Sequence, residues 1–162
     1  MDGQARARVL VVEDEPAIRR CLVDALQDEG YEVMAAANGA QALELLAAEQ
    51  WRPDAIVLDM LMPAMDGIAF AEAYRQSPEP HAPIVVVTAS RNEGRRAASL
   101  GADEVLLKPV DLEELLEQVA RHARAAQAST RQRLPLLAGV QAAILVIAGL
   151  LGIAAATPAR VP

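Results

Sequence analysis

Short apolar runs alternate with longer mixed stretches from residue 8 to residue 124. The apolar runs are four or five residues long, and runs of this kind predict strands that are buried in a sheet. They lie at residues 8–12, 32–36, 55–58, 84–87 and 104–107. The stretches that follow them predict five helices. These helices cover residues 16–29, 39–49, 67–76, 92–100 and 112–124.

Residues at the borders of these stretches support the predicted elements. Pro16 suits the first position of a helix, with Asp14 or Glu15 before it as a cap. Gly30 follows the end of that helix, and Asp111 precedes the last helix as a cap. Five strands that alternate with five helices predict an α/β fold, in which a parallel sheet is covered by helices on both faces.

Polar residues follow four of the five predicted strands. Asp14 comes after the first strand, Asp59 after the third and Thr88 after the fourth. Lys108 follows the fifth strand. Ligands of open parallel sheets bind outside the carboxyl ends of the strands. We therefore expect these four side chains, which are distant in sequence, to meet at one edge of the sheet.

The residue types at this edge suit phosphoryl transfer. Glu13, Asp14 and Asp59 would repel one another unless a hard cation lay between them, and Mg²⁺ prefers such oxygen ligands. A carboxylate there can attack phosphorus and form an acyl phosphate. Lys108, the only lysine of the chain, would neutralise phosphoryl oxygens, and Thr88 would donate a hydrogen bond to them. The acidic loop alone could equally be a helix N-terminus, so the interpretation depends on the whole set.

Four segments resemble the receiver domains of two-component response regulators. They run, in order, from Val9 to Pro16, from Asp59 to Gly67, from Val85 to Ala89 and from Leu107 to Pro109. The resemblance covers residues 7–125, and the Asp59 segment together with Lys108 and Pro109 is highly specific. It implies a flavodoxin-like, five-stranded parallel sheet with the strand order 2-1-3-4-5.

The resemblance also implies a function and a ligand set. A sensor histidine kinase or a phosphotransfer protein would donate a phosphoryl group to Asp59, with Thr88 and Lys108 assisting. Mg²⁺ would be held by Asp14, Asp59 and the backbone carbonyl of Leu61, and Glu13 would reach the ion directly or through water. Such a protein is a switch rather than an enzyme, because it catalyses only its own phosphorylation and dephosphorylation.

Two positions bear on how such a switch would behave. The family places Tyr or Phe three residues before the lysine, whereas this chain has Val105 there. The aromatic half of the usual coupling is therefore missing, and the signal would leave the site by a weaker or different route. Leu61, two positions past the acceptor, offers no group to orient an attacking water, which predicts slow self-dephosphorylation.

The end of the chain predicts a membrane segment. Residues 134–157 contain no charged side chain, and 24 helical residues at about 1.5 Å each can cross a hydrocarbon core of about 30 Å. The alternatives are a soluble oligomerising helix and a helix buried against a partner. The predicted organisation is a receiver domain (1–125), a basic juxtamembrane linker (126–133), a transmembrane helix (134–157) and a short tail (158–162).

Charged residues that flank this segment predict its orientation. Four arginines precede it from Arg121 onwards, and only Arg160 follows it. The excess of positive charge on the cytoplasmic side predicts a single-pass protein of the cytoplasmic membrane, with the receiver domain in the cytoplasm. Small residues at Ala148, Gly152 and Ala156 offer a stripe for helix pairing, and therefore for a homodimer.

Charge and cysteine content narrow the classes of partner. All 22 acidic residues and ten of the 15 basic ones lie in residues 1–120, which carry a formal charge of −12. Such a body repels phosphates, so we expect no nucleic-acid partner for it. Cys21 is the only cysteine, which excludes an intrachain disulfide. His81 and His122 are isolated in sequence, and we expect both at the surface.

The preferred interpretation is a phospho-accepting switch or phosphate sink at the membrane, with an unknown output protein. One alternative is a phosphatase with an aspartyl nucleophile, which would need a second acid where this chain has Leu61. The other is a receiver-like scaffold that is not phosphorylated, which Val105 favours slightly and the intact acidic and basic residues disfavour.

Overall fold

The structure, a computed structural model, describes residues 6–48, 51–78 and 80–130. Strands and helices alternate along these residues. The strands are β1 (Arg8–Val12), β2 (Glu32–Ala36), β3 (Ala55–Asp59), β4 (Ile84–Thr88) and β5 (Glu104–Leu107). The helices are α1 (Pro16–Asp28), α2 (Gly39–Ala48), α3 (Gly67–Gln76), α4 (Arg91–Ser99) and α5 (residues 112–130).

The five strands form one parallel sheet in the order β2-β1-β3-β4-β5. This confirms the parallel sheet that the apolar runs predict and the flavodoxin-like order that the resemblance implies. Every residue of β3 and β4 is buried. Helices cover both faces of such a sheet, which is why its central strands are apolar throughout rather than at alternate positions.

Two hydrophobic clusters lie on opposite faces of the sheet. Successive side chains of β1 alternate between them, because neighbouring residues of a strand point to opposite faces: Leu10 belongs to one cluster, and Val9 and Val11 belong to the other. The first cluster also receives Phe70 from α3. The second receives Leu115 from α5. The two layers of helices hold the sheet, and with it the carboxyl ends of the strands.

Caps set the beginnings of the helices. Pro16 is the first residue of α1, as predicted, but Glu15 at the N-cap makes no side-chain hydrogen bond, so the predicted cap is wrong. The backbone N–H of Glu15 donates instead to the Glu13 carboxylate at 3.3 Å. Helix α4 begins one residue earlier than predicted, because the Ser90 side chain accepts from the backbone N–H of Glu93. Asp111 does cap α5.

Helix α5 is longer than the sequence pattern predicts. The pattern predicts an end near Arg124, yet the helix continues to residue 130, where the described part of the chain ends. Residues 125–130 contain three alanines and neither glycine nor proline, so no residue there interrupts the helix.

The chain divides into two compact units, Met1–Gln127 and Ala128–Pro162. Of the second unit, the structure describes only residues 128–130. The predicted transmembrane segment at 134–157 lies outside the described residues. Among residues 6–48, 51–78 and 80–130, none of the helices is both long and apolar enough to cross a membrane.

The start of α3 packs directly against the end of β3. A Cβ atom at Gly67 would lie 2.6 Å from the carbonyl oxygen of Asp59 and 2.8 Å from the Cα of Met60. Both atoms belong to the backbone and cannot rotate away. A Cβ at Gly94 in α4 would lie 2.9 Å from a methyl carbon of Val105, which belongs to a side chain that can shift.

These contacts predict different costs for two glycine substitutions. We expect Gly67→Ala to lower the free energy of unfolding by about 2 kcal/mol, because the backbone of β3 must move. Gly94→Ala should change it by less than about 1 kcal/mol, since alanine favours the helix and offsets the tight contact. Urea denaturation of both variants measures the difference, and equal losses would contradict the backbone contact.

Candidate functional site

Three carboxylates meet at the carboxyl ends of β1 and β3. Glu13 and Asp14 follow β1, Asp59 ends β3, and the two strands are hydrogen-bonded neighbours. One oxygen from each carboxylate lies within 4.8 Å of the others. Glu13 is 3% and Asp59 is 6% exposed, whereas Asp14 is half-buried. Three negative charges therefore lie close together in a region from which water is partly excluded.

Lys108 lies between two of these carboxylates. Its Nζ is 3.2 Å from Oε2 of Glu13 and 3.4 Å from Oδ1 of Asp59. Its backbone N–H donates to the carbonyl oxygen of Thr88 at 2.9 Å, which holds the residue beside β4. The peptide bond between Lys108 and Pro109 is cis. The side chain thus crosses the edge of the sheet from β5 towards β3 and β1.

The electrostatics of the cluster follow from burial and from the neighbouring charges. Burial raises the pKa of the Glu13 carboxyl above its ordinary value, and the negative charge of Asp59 raises it further, although Lys108 opposes both. Partial burial alone would lower the pKa of the Lys108 ammonium, but Asp59 and Glu13 raise it above its usual value. One ammonium therefore only partly compensates three acids.

Three buried polar residues lie at this edge of the sheet. The buried polar or charged residues among the described ones are Glu13, Asp59 and Thr88. Thr88 follows Val87, which is the register partner of Asp59. Its hydroxyl accepts a hydrogen bond from the backbone N–H of Ser90 at 3.2 Å. Polar groups are buried at a cost, so their concentration at one place marks a functional site.

The loop after β3 is fixed at several points. The backbone N–H of Met60 donates to Oδ1 of Asp59 at 2.9 Å. Ala64 has a positive φ of 67°, and Asp66 caps α3 by accepting from the backbone N–H of Ala69 at 2.8 Å. Leu61 lies on this loop and is 56% exposed. The use of its carbonyl as a metal ligand remains a prediction.

Arg19 also contacts the acidic loop, and the sequence pattern did not single it out. Its Nη1 donates to the backbone carbonyl oxygens of Glu13 at 2.7 Å and of Asp14 at 2.9 Å. Arg19 and Arg20 are adjacent in sequence. Periodicity alone does not say which of two neighbouring arginines folds back onto the preceding loop, so no signal in the sequence distinguishes them.

The donor set fits a magnesium ion. Glu13, Asp14 and Asp59 offer hard oxygen ligands, which Mg²⁺ prefers, and a small number of carboxylates suffices because the ion keeps several waters. The cluster also carries more negative charge than Lys108 can neutralise. A divalent cation would remove that repulsion, so the chemistry of the residues and their burial both suit it.

Other candidates from the sequence lie away from these contacts. Val105 packs against Gly94 of α4. His81 is half-buried, with its ring edge-on to Tyr74 at 5.1 Å between centroids, and His122 is half-buried near Glu104, so both rings remain partly exposed. Cys21 is exposed on α1.

Curated relatives match most of the described domain. The response regulator MprA of Mycolicibacterium vanbaalenii is 43% identical over 114 residues, which cover 69% of this chain and 48% of the relative. MprA of Mycobacterium avium is 42% identical over 114 residues, which cover 69% of this chain and 49% of that protein. The chain thus spans about half the length of the curated relatives it matches.

Solved structures match over a similar range. The chemotaxis response regulator CheY4 of Vibrio cholerae has a TM-score of 0.66 and 36% identity, covering 73% of this chain and 99% of that structure. A CheY-like receiver domain protein of Methanospirillum hungatei has a TM-score of 0.68 and 26% identity, covering 77% and 99%. The model of the response regulator receiver domain matches residues 9–120. The chain therefore belongs to the response regulator receiver domain family of two-component signalling.

Proposed function

We propose that Asp59 accepts a phosphoryl group from a sensor histidine kinase or a phosphotransfer protein, and that the domain acts as a signalling switch or a phosphate sink. The observation that carries the proposal is the buried cluster in which Lys108 contacts both Asp59 and Glu13. Receiver domains are generally switches rather than enzymes. We propose that this one likewise catalyses only its own phosphorylation and dephosphorylation.

The proposed transfer uses the second oxygen of the Asp59 carboxylate. Oδ1 already accepts from Met60 and contacts Lys108, whereas no hydrogen bond to Oδ2 is present within the described residues. An oxygen–phosphorus bond forms at the carboxylate as the nitrogen–phosphorus bond of the donor phosphohistidine breaks. The electron pair stays on the imidazole nitrogen, which takes a proton from solvent.

The surrounding residues then hold the transferred group. The Lys108 ammonium, which its neighbours keep protonated, faces the phosphoryl oxygens as a point charge. The Thr88 hydroxyl lies one residue beyond the register partner of Asp59 and donates a hydrogen bond. Mg²⁺ would add charge neutralisation, held by Glu13, Asp14, Asp59 and the Leu61 carbonyl. Catalysis is thus positioning together with compensation of charge.

The competing functions have less support. A phosphatase with an aspartyl nucleophile needs an acid where Leu61 stands. A scaffold that is never phosphorylated would have no use for three buried polar groups, of which Glu13 and Asp59 repel each other. The absence of a nucleic-acid partner is proposed for residues 1–120 alone, on the basis of their charge of −12.

Phosphorylation at Asp59 is tested with acetyl phosphate and Mg²⁺. We expect one stable acyl phosphate per chain, because a carboxylate oxygen, a lysine and a hydroxyl converge there. Asp59→Asn should abolish the label, whereas Asp24→Asn, a change at an exposed aspartate of α1, should leave it intact. Intact-mass spectrometry measures the label, and chelation of the metal should prevent it.

The fate of the label separates the alternatives. We expect a lifetime of many minutes, because exposed Leu61 cannot orient water. Continuous release of phosphate would favour the phosphatase, and no label in the wild type would favour the scaffold. A half-life of seconds would contradict the slow dephosphorylation that we predict.

Glu13→Gln is expected to stabilise the metal-free protein. Because the folded-state pKa of Glu13 is raised, its ionised form destabilises the fold at pH values above that pKa, and this cost disappears below the ordinary value of 4.5. Neutral glutamine removes the cost, so the free energy of unfolding at pH 7.5 should rise by about 1 kcal/mol. Thermal unfolding in EDTA should show a midpoint higher by about 4 °C.

The gain from Glu13→Gln should shrink as the pH falls towards 4.5, because wild-type Glu13 then becomes protonated. Saturating Mg²⁺ should also reduce or reverse it, because the variant has lost a charged ligand. If the variant is less stable than the wild type at pH 7.5 in EDTA, the contact with Lys108 outweighs the repulsion.

A membrane anchor at residues 134–157 completes the proposal. The segment lies outside the described residues, so the support for an anchor comes from the sequence alone. The segment carries no charged side chain, and arginines precede it. The domain organisation 1–125, 126–133, 134–157 and 158–162 and the cytoplasmic side of the receiver domain are proposed on the same basis. Pairing through Ala148, Gly152 and Ala156 would give a homodimer.

Alkaline carbonate extraction of membranes tests the anchor. The full chain should stay in the membrane pellet, because removing a transmembrane helix from the bilayer exposes its apolar side chains to water. A chain truncated after residue 133 should be extracted. Recovery of the full chain in the extract would exclude a transmembrane anchor.

A further inference from the structure

Arg19 connects helix α1 to the backbone that carries two of the proposed metal ligands. A single nitrogen, Nη1, donates to the carbonyl oxygens of Glu13 at 2.7 Å and Asp14 at 2.9 Å. Both distances are those of strong, charge-assisted hydrogen bonds. Arg19 itself is half-buried, and its backbone N–H donates to the carbonyl oxygen of Glu15 at 2.9 Å, within the first turn of α1.

The loop that carries the two carbonyls has further restraints at its start and at Glu15, whose backbone N–H donates to the Glu13 carboxylate at 3.3 Å. The backbone N–H of Glu13 donates to Ala36 at 3.1 Å, which ties the start of the loop to the end of β2. The cap residue Glu15 contributes no side-chain hydrogen bond. The guanidinium adds a restraint on the peptide planes that follow Glu13 and Asp14, and with them on the directions in which these two side chains leave the backbone.

The positive charge of Arg19 and its hydrogen bonds have opposite effects on the affinity for a divalent cation. A guanidinium near a divalent cation repels it and lowers affinity. However, Arg19 bonds to carbonyls, and no ion pair joins it to any of the three carboxylates within the described residues. It therefore orders the loop without neutralising the ligands. An ordered ligand set loses less conformational freedom when the ion binds.

We propose that Arg19 is a positioning residue for the divalent cation, acting through the backbone carbonyls of Glu13 and Asp14. This inference rests on the proposed function, because it presumes that the acidic cluster binds Mg²⁺. Ordering of the loop by Arg19 raises the affinity for the cation, and repulsion between the guanidinium and the cation lowers it. The ordering effect is the larger of the two. Removing the guanidinium should therefore weaken binding of the cation, although a positive charge is removed.

The test is isothermal titration calorimetry of the full chain, in detergent, with Mg²⁺ alone. Arg19→Gln should raise the Kd for Mg²⁺ by about tenfold, the usual loss when a group that orients metal ligands is removed. Arg19→Lys keeps a cation that can donate to a carbonyl, and should recover part of this loss. Arg20→Gln removes the same charge from the adjacent, exposed position and should bind like the wild type.

Stability is measured on the same samples, so that loss of structure is not mistaken for loss of positioning. Circular dichroism should show that each variant is folded at the temperature of the titration. If Arg19→Gln is unfolded there, comparison of Arg19→Lys with the wild type decides, and equal Kd values would overturn the proposal. Repulsion is the larger effect if folded Arg19→Gln binds as tightly as the wild type or more tightly, which also overturns it.

Failure of the proposed function has a different signature. If the wild type binds Mg²⁺ no better than Asp59→Asn does, the acidic cluster is not the cation site, and the inference about Arg19 falls with it. If the wild type binds better than Asp59→Asn but equals Arg19→Gln, the site stands and only the role of Arg19 is excluded.

Discussion

The structure depends on one ammonium group that lies between two buried carboxylates. Lys108 reaches Glu13 and Asp59 from the far side of β4, so the end of β5 is joined to the ends of β1 and β3. Without this cation, burial and mutual repulsion would act unopposed on the two acids. Repulsion between the buried acids therefore remains at the site, and a divalent cation can relieve it.

The architecture confines this repulsion between acids to the carboxyl edge of the sheet. β3 and β4 are buried throughout, so their side chains between the ends must be apolar. The buried polar residues Glu13, Asp59 and Thr88 lie where the strands stop. In this parallel sheet the apolar residues within the strands stabilise the fold, and the polar residues at the carboxyl ends of the strands form the functional site.

Much of the fold could be predicted from the sequence, because buried strands are short apolar runs and their borders carry turn and cap residues. The run at residues 84–87 predicted β4 without reference to any relative. The order of the strands could not be obtained this way, since periodicity says which face a residue occupies and not which strand is adjacent. The order came from the resemblance, and the structure agrees with it.

The site was predictable in its members but not in its contacts. The strand-end rule selected Asp59 and Lys108, because it needs only the position where each apolar run stops. It could not select Arg19, whose role depends on the reach of a long side chain back over the preceding loop. The length of α5 was missed for a simpler reason, since no residue after Arg124 signals an end before the described part finishes.

The position of Lys108 also gives the protein a built-in chemical reporter. It is the only lysine in the chain, so the protein has a single ε-amino group. Acylating reagents attack unprotonated amines, and the two carboxylates that raise the pKa of this group keep it protonated and slow to react. The reactivity of this amine towards such a reagent therefore depends on the charges of Glu13 and Asp59.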